Sequence, residues 1–276
     1  MMFMLDLIIL TVLQLSSLFG IIIVAGFFIN IIERQSVKFI QQSFGKQGFL
    51  FTSWVGTPVH EFGHYVMCKL FNHKVIDVQW FPKDKHASTL GYVAHRYNSG
   101  SLYQRIGVFF ISIGPLFSGL LALALLLYML LPASYAEFST FTKSIEPSAL
   151  TIENIMMIVK SSFEVISTIF VVENFTSIKF WIFLLLAIGI CTHISLSPAD
   201  LRGAFSGFMT MTLLLFTINL IALFIGWDTN QFVSALIQYN AYLIGWMSFV
   251  LFLSLITLVI TFTISFISRI FLHISI

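Results

Sequence analysis

Two histidines four residues apart, with a glutamate directly after the first, give the chain its most specific chemical pattern: His60-Glu61-Phe62-Gly63-His64. On an α-helix such positions lie about 40° apart around the axis and roughly 6 Å apart along it, so both imidazoles leave one face and can grip one ion. Imidazole is a preferred zinc donor, and this spacing puts the intervening carboxylate beside the metal. Glu61 is thereby placed as a general base, taking a proton from water that the metal has made more acidic and passing it to a leaving amine, which completes amide hydrolysis. A purely structural site has no need of Glu61 and closes with a fourth protein ligand.

A catalytic zinc takes three protein ligands and keeps a position for water, and the helix supplies two of the three. Asp200, in the proline-broken segment Ser195-Leu196-Ser197-Pro198-Ala199-Asp200-Leu201-Arg202-Gly203, is the candidate for the third. A carboxylate there also suits a helix N-cap or an ion pair with Arg202. His193 is the runner-up third ligand, nominally on the same face as Asp200, although Pro198 breaks that alignment. A packed histidine, or one that orients a ligand from behind, is its commoner use. His73, His86, His95 and His273 read as interfacial or solvated, and His95 alone among them stands where it can approach a substrate.

The elements that must position these groups are those of a membrane protein. The chain of 276 residues is 58% hydrophobic and 9% charged, with a mean hydropathy of +0.96, far from the quarter of charged residues usual in soluble domains. The fold class expected is an all-α polytopic membrane protein, one domain over residues 1–276, with about six transmembrane helices and a small β-hairpin after the metal-binding helix. Apolar runs place the spans at 5–32, 47–71, 103–131, 179–196, 204–226 and 241–267. An anchor span and connection (1–46), a metal-binding core (47–203) and two C-terminal spans (204–276) divide the domain. The polar residues from Glu33 to Lys46 read as a short connection, and Gly56 with Pro58 as a bend upstream of His60.

Residues 72–100 change character, with β-prone runs at Val75–Phe81 and Leu90–Val93 flanking the turn-like Pro82-Lys83-Asp84-Lys85, which predicts the hairpin. Its edge, around Val78 or Val93, is a candidate to pair with an unwound substrate segment by strand addition. Gly114-Pro115 and Gly119 in the third span suit close helix packing. Between 152 and 170, apolar residues at helical spacing predict an amphipathic helix on the membrane surface or packed against the spans. Cys68 and Cys191 lie in apolar segments and read as buried hydrophobes, not a disulfide.

Lys74, Lys83, Lys85 and Arg96 in the 72–104 connection, against two lysines and five glutamates in 132–178, place the first inside and the second outside. Both termini are then cytoplasmic, in a plasma or inner membrane. His64 falls roughly 10 Å and His60 roughly 16 Å from the inner end of the second span at 1.5 Å per residue. The net charge of +2 is scattered, so nucleic-acid binding has no footing. The partners expected are the lipid bilayer and a membrane-anchored protein substrate; oligomeric state has no sequence signal.

Together the histidine helix, the hairpin connection, the helix with Gly114-Pro115-Leu116 and the later helix with Asp200 resemble the site-2 protease family of intramembrane zinc metalloproteases, over roughly residues 47–203. The resemblance implies zinc on His60, His64 and Asp200, Glu61 as catalytic base, and cleavage of membrane-anchored proteins within or near their span. The chain departs from the family in lacking an asparagine before Pro198, in having Arg202 between Leu201 and Gly203, and in having Ser118 where an asparagine is frequent. The alternative reading is a non-catalytic metal-binding membrane protein, either a carrier or an inactive homologue that acts by binding partners.

Overall fold

A computed structural model describes residues 2–81, 90–145, 151–237 and 239–274. The turn expected at residues 82–85, and His86, lie outside the described residues, as does the side chain of His273. Helix α1 (Met2–Leu70) is followed by strands β1 (Lys74–Gln79) and β2 (Tyr92–Arg96), then α2 (Leu102–Leu130), α3 (Pro132–Ser144), α4 (Ile152–Ile169), α5 (Val172–Phe175), α6 (Ile178–Cys191), α7 (Pro198–Ile225), α8 (Thr229–Ile237) and α9 (Asn240–Ile274).

Helix α1 is two arms joined at Gly45, whose φ of 62° and ψ of −158° fall in a region open only to glycine. The chain turns back there: Glu33 on the first arm and His60 on the second both reach the 193–195 turn. The polar connection expected at 33–46 is therefore helix up to the turn at Gly45. Ile29, Ile32, Ser36 and Ile40 are buried at helical spacing and continue the apolar stripe past Glu33 and Arg34. The helix is not broken at Gly56 or Pro58; the second arm stays helical through Pro58, and Gly45 is the non-helical residue in α1.

Four helical stretches among the described residues are long and apolar enough to cross a membrane: Met4–Leu70, Leu102–Leu130, Pro198–Ile225 and Thr229–Ile270. Helix α6 has 14 residues, about 21 Å at 1.5 Å per residue, against a hydrocarbon core of about 30 Å. Phe27, Leu213, Phe224 and Val259 point outward from the bundle. Such a belt suits lipid and not water. The fold is that of an all-α membrane protein with one two-stranded antiparallel sheet.

Polar contacts hold distant helices together where water is scarce. Asn219 on α7 donates to Thr11 and Gln14 on α1 and accepts from Thr229 on α8, at 3.0, 2.8 and 2.6 Å. Helix α4 packs on α3 and α9 through Ser162, Val165, Ile166 and Ile169, while Ile152, Met156 and Phe163 stay exposed, so the amphipathic helix is docked on one side and open to lipid on the other. Cys68 and Cys191 are buried free thiols.

The hairpin does not stand away from the bundle as a loop. It folds back along the second arm of α1, with Trp80 against Tyr65 and Phe81 against Trp54. Strand β2 faces the interior, and a register shift between Val75 and Asp77 sets Val78 opposite Val93 and Val75 opposite His95.

Replacing Gly45 by valine is expected to destabilise the protein by about 1–3 kcal/mol, the cost of forcing a side chain into that backbone region. Gly20→Ala, where an added methyl meets nothing within 4 Å, is expected to leave stability unchanged or raise it. Thermal unfolding in detergent compares the two variants.

Candidate metal centre

Helix α1 brings His60 and His64 to one face, as their spacing requires, but three contacts from α2 and from the turn after α6 decide where the rings point. Gly63 and Gly114 meet backbone to backbone: a Cβ on Gly63 would lie 2.5 Å from the Gly114 carbonyl. This glycine crossing lets α2 approach closely enough for the Ile111 carbonyl to accept from His64 Nδ1 at 2.8 Å. The His193 carbonyl accepts from His60 Nδ1, also at 2.8 Å. Carbonyl oxygens only accept, so each Nδ1 carries a hydrogen and, in the neutral rings, each Nε2 keeps its lone pair.

The two Nε2 atoms lie 3.1 Å apart. With no hydrogen between them, this is two lone pairs face to face. Asp200 adds a third donor, its Oδ1 3.3 Å from His64 Nε2 and its Oδ2 3.6 Å from His60 Nε2. Zinc bonds of 2.0–2.1 Å in a tetrahedron set ligand atoms about 3.3 Å apart. The donor set and its spacing therefore fit a zinc ion, and His60, His64 and Asp200 are the group among the described residues that could hold a metal ion.

Asp200, in the proline-broken segment between the spans expected at 179–196 and 204–226, is the third residue of α7. Ser197 caps α7 and Pro198 occupies its first turn, so the helix begins six residues before the expected span does. Ser197 and Asp200 form a capping box: Ser197 N–H donates to Asp200 Oδ2 at 2.8 Å, and Ser197 Oγ accepts from Asp200 N–H at 3.2 Å. The cap and the ligand readings of Asp200 are thus compatible, because the cap fixes the carboxylate while its oxygens face the histidines. The positive end of the α7 dipole favours the negative charge there.

His193, the runner-up, acts on the centre through its main chain. Its ring stacks on Phe49, with centroids 5.2 Å apart, and is held by Gly189 and Thr192 through Nδ1. Its carbonyl is what orients His60.

Glu61 is 7% exposed and lies in the wall shared by two cavities. The larger, about 470 Å³, is lined by the three metal-binding residues, by Tyr92, Val93 and His95 of β2, and by Ser112. Val93 thus faces the site, whereas Val78 is reached only through its pairing with Val93. The smaller, about 230 Å³, is lined by Glu33, Thr57 and His193. Thr57 Oγ1 and His193 Nε2 are buried there without a protein partner, which suits a wet chamber beside Glu61.

Two contributors escaped the sequence reading. Glu33 accepts from Ser195 N–H at 2.5 Å and so ties the first arm of α1 to the turn that precedes Asp200. The stripe of buried residues continuing from Ile29 to Ile40 is the signal that reveals it. His73, expected at the interface or in solvent, is instead buried and lies Nδ1 to Nδ1 at 3.0 Å from His95, which is half-buried and lines the larger cavity, where it can approach a substrate as its position suggested. The folding back of the hairpin covers His73.

No known family model matches the chain, and no curated protein or solved structure is significantly similar to it.

Asp200→Ala is expected to weaken zinc binding by more than about 100-fold, beyond the 10–100-fold typical of losing a partner behind a ligand. His193→Gln, which keeps the orienting carbonyl, is expected to stay within about tenfold of wild type. Competition titration with a zinc-binding dye on purified protein separates Asp200 from His193 as third ligand.

Proposed function

We propose that the protein is a zinc-dependent intramembrane endopeptidase that cleaves membrane-anchored proteins within or near their span. The observation that carries this reading is the convergence of three lone-pair donors at 3.1–3.6 Å, with the carboxylate of Glu61 in the same cavity wall. Zinc held by His60, His64 and Asp200 supplies Lewis acidity, making water a stronger acid and a peptide carbonyl a better electrophile.

The remaining steps belong to the chain. Glu61 accepts the proton of the attacking water and returns it to the amine as the peptide bond breaks. Its burial removes competing solvent, and the smaller polar cavity gives it a reservoir from which water can arrive. A peptide carbonyl in a helical span is bonded within its own helix and shielded, whereas the 470 Å³ cavity at Glu61 has room for a short unwound segment. The substrate must therefore unwind before it reaches Glu61, and β2, with Val93 toward the cavity, offers main-chain groups to pair with it.

In this reading the chain crosses the bilayer of a plasma or inner membrane six times, counting the two arms of α1 separately and the short α6 as a crossing beside the site, with both termini cytoplasmic and the site in the cytoplasmic half. These features rest on the apolar runs and the charge bias of the connections, whereas the resemblance to the site-2 protease family rests on the motifs in residues 47–203. A carrier needs the three ligands but not Glu61.

Purified Glu61→Gln is expected to hold zinc at the wild-type ratio while cleaving a single-span protein about 10²–10⁴-fold more slowly, the usual contribution of a positioned acid–base group. Equal cleavage by zinc-loaded wild type and Glu61→Gln overturns the mechanism. Zinc binding with no cleavage by wild type favours the carrier.

Val93→Pro removes an N–H from the strand facing the site and is expected to slow cleavage of a span substrate with zinc binding intact. Val78→Pro tests the partner strand in the same assay. Unchanged rates in both variants exclude strand addition to this hairpin.

A further inference from the structure

The His73–His95 pair has a direction, set by its partner at the far end. His73 is 3% exposed, and its Nε2 lies 2.8 Å from the Gln104 carbonyl oxygen. That oxygen only accepts, so Nε2 of His73 carries the hydrogen. The Nδ1 of a neutral His73 is then an acceptor, and the nitrogen it faces, His95 Nδ1 at 3.0 Å, must be the donor. His95 is left with a lone pair and no hydrogen at Nε2. Burial disfavours the protonated form of His73, and burial with the neighbouring His73 and His64 pushes His95 down to about 4, so the pair is neutral near pH 7.

The pair is also held rigidly. Tyr97 stacks on His73 with centroids 4.9 Å apart. The Gln104 side chain donates to the Asn72 carbonyl at 2.9 Å and accepts from Asn98 N–H at 2.6 Å, clamping both ends of the hairpin to the start of α2. His95 lies at the register shift of the two strands, the kind of irregularity that re-aims a side chain. It lines the same cavity as His60, Glu61, His64 and Asp200 but is not part of the metal-binding group.

A neutral acceptor on this wall cannot stabilise a developing oxyanion, which needs a donor. An unwound substrate, however, brings main-chain N–H groups that have lost their helical carbonyls, and leaving one unpaired in a buried site is costly. We propose that His95 Nε2 accepts a main-chain N–H of the unwound substrate beside the scissile bond, which makes His95 a substrate-binding residue. This assignment rests on the endopeptidase reading of the site.

Two measurements test it. Solid-state NMR of ¹⁵N-histidine-labelled protein in bilayers, with the His95 signals assigned by their loss in His95→Gln, is expected to give a protonated Nδ1 and an unprotonated Nε2. A protonated Nε2 overturns the proposal whether or not any substrate is cut. In cleavage of a single-span protein, His95→Leu is expected to lower kcat/KM about 5- to 100-fold. His95→Gln, whose Oε1 can accept, is expected to recover most of that loss.

Because His95→Leu also leaves His73 without its donor, the deciding comparison uses substrates in which one peptide N–H near the cut is replaced by an ester oxygen. At one position the ester is expected to slow wild type about 5- to 100-fold and His95→Leu by less than about twofold. Equal losses in both enzymes at every position overturn the contact alone. No cleavage by wild type removes the endopeptidase reading, and the contact with it.

Discussion

The structure turns on an electrostatic conflict built into its centre. Two imidazole lone pairs and a carboxylate face one another across 3.1–3.6 Å on a cavity wall within an apolar bundle, where their repulsion is screened far less than in water. A cation of the right size reverses the sign of that interaction. The surroundings keep the donors from relaxing apart. The Ile111 and His193 carbonyls fix the ring tautomers, the Gly63–Gly114 crossing sets the distance from α1 to α2, and the capping box holds Asp200 at the start of α7. Each contact comes from a different part of the chain, so the centre exists only in the assembled bundle.

The same scarcity of water explains the polar features away from the centre. Glu33 meets the Ser195 amide, Asn219 gathers Thr11, Gln14 and Thr229, and His73 and His95 bond each other and Gln104. In an apolar environment an unpaired polar group is costly, and each pairing also ties together segments distant in sequence. Thr57 Oγ1 and His193 Nε2 have no such protein partner, and both border the small cavity beside Glu61. Glu61 therefore separates a chamber suited to water from a larger cavity suited to an extended peptide. On the proposed endopeptidase reading that division matters, since water and substrate arrive from different surroundings.

Where the sequence reading and the structure part, the cause is a long-range contact. Glu33 and its polar neighbours resemble a loop because charged residues usually mark one, yet a buried stripe carries the helix beyond them. Pro58 signals a break, but it lies within a continuous helical arm while the chain turns at Gly45. Asp200 was readable as a ligand or as a cap, and nothing in its neighbourhood indicates that one carboxylate can serve both purposes. His73 read as interfacial or solvated, and its bond to His95 went unseen, because a hairpin's sequence does not tell which way it folds.

The sequence by itself determined the membrane character, the hairpin and the pairing of His60 with His64, because composition and helical or strand period are local properties. It also placed Glu61 beside those histidines and nominated Asp200. Only the tertiary structure decided that Asp200 rather than the His193 ring faces the two Nε2 atoms, that the His193 carbonyl orients His60, and that β2 with His95 closes the cavity. Those outcomes depend on how far each helix slides along its neighbour. That slide is set by glycine contacts and buried hydrogen bonds between residues dozens of positions apart, for which no local pattern exists.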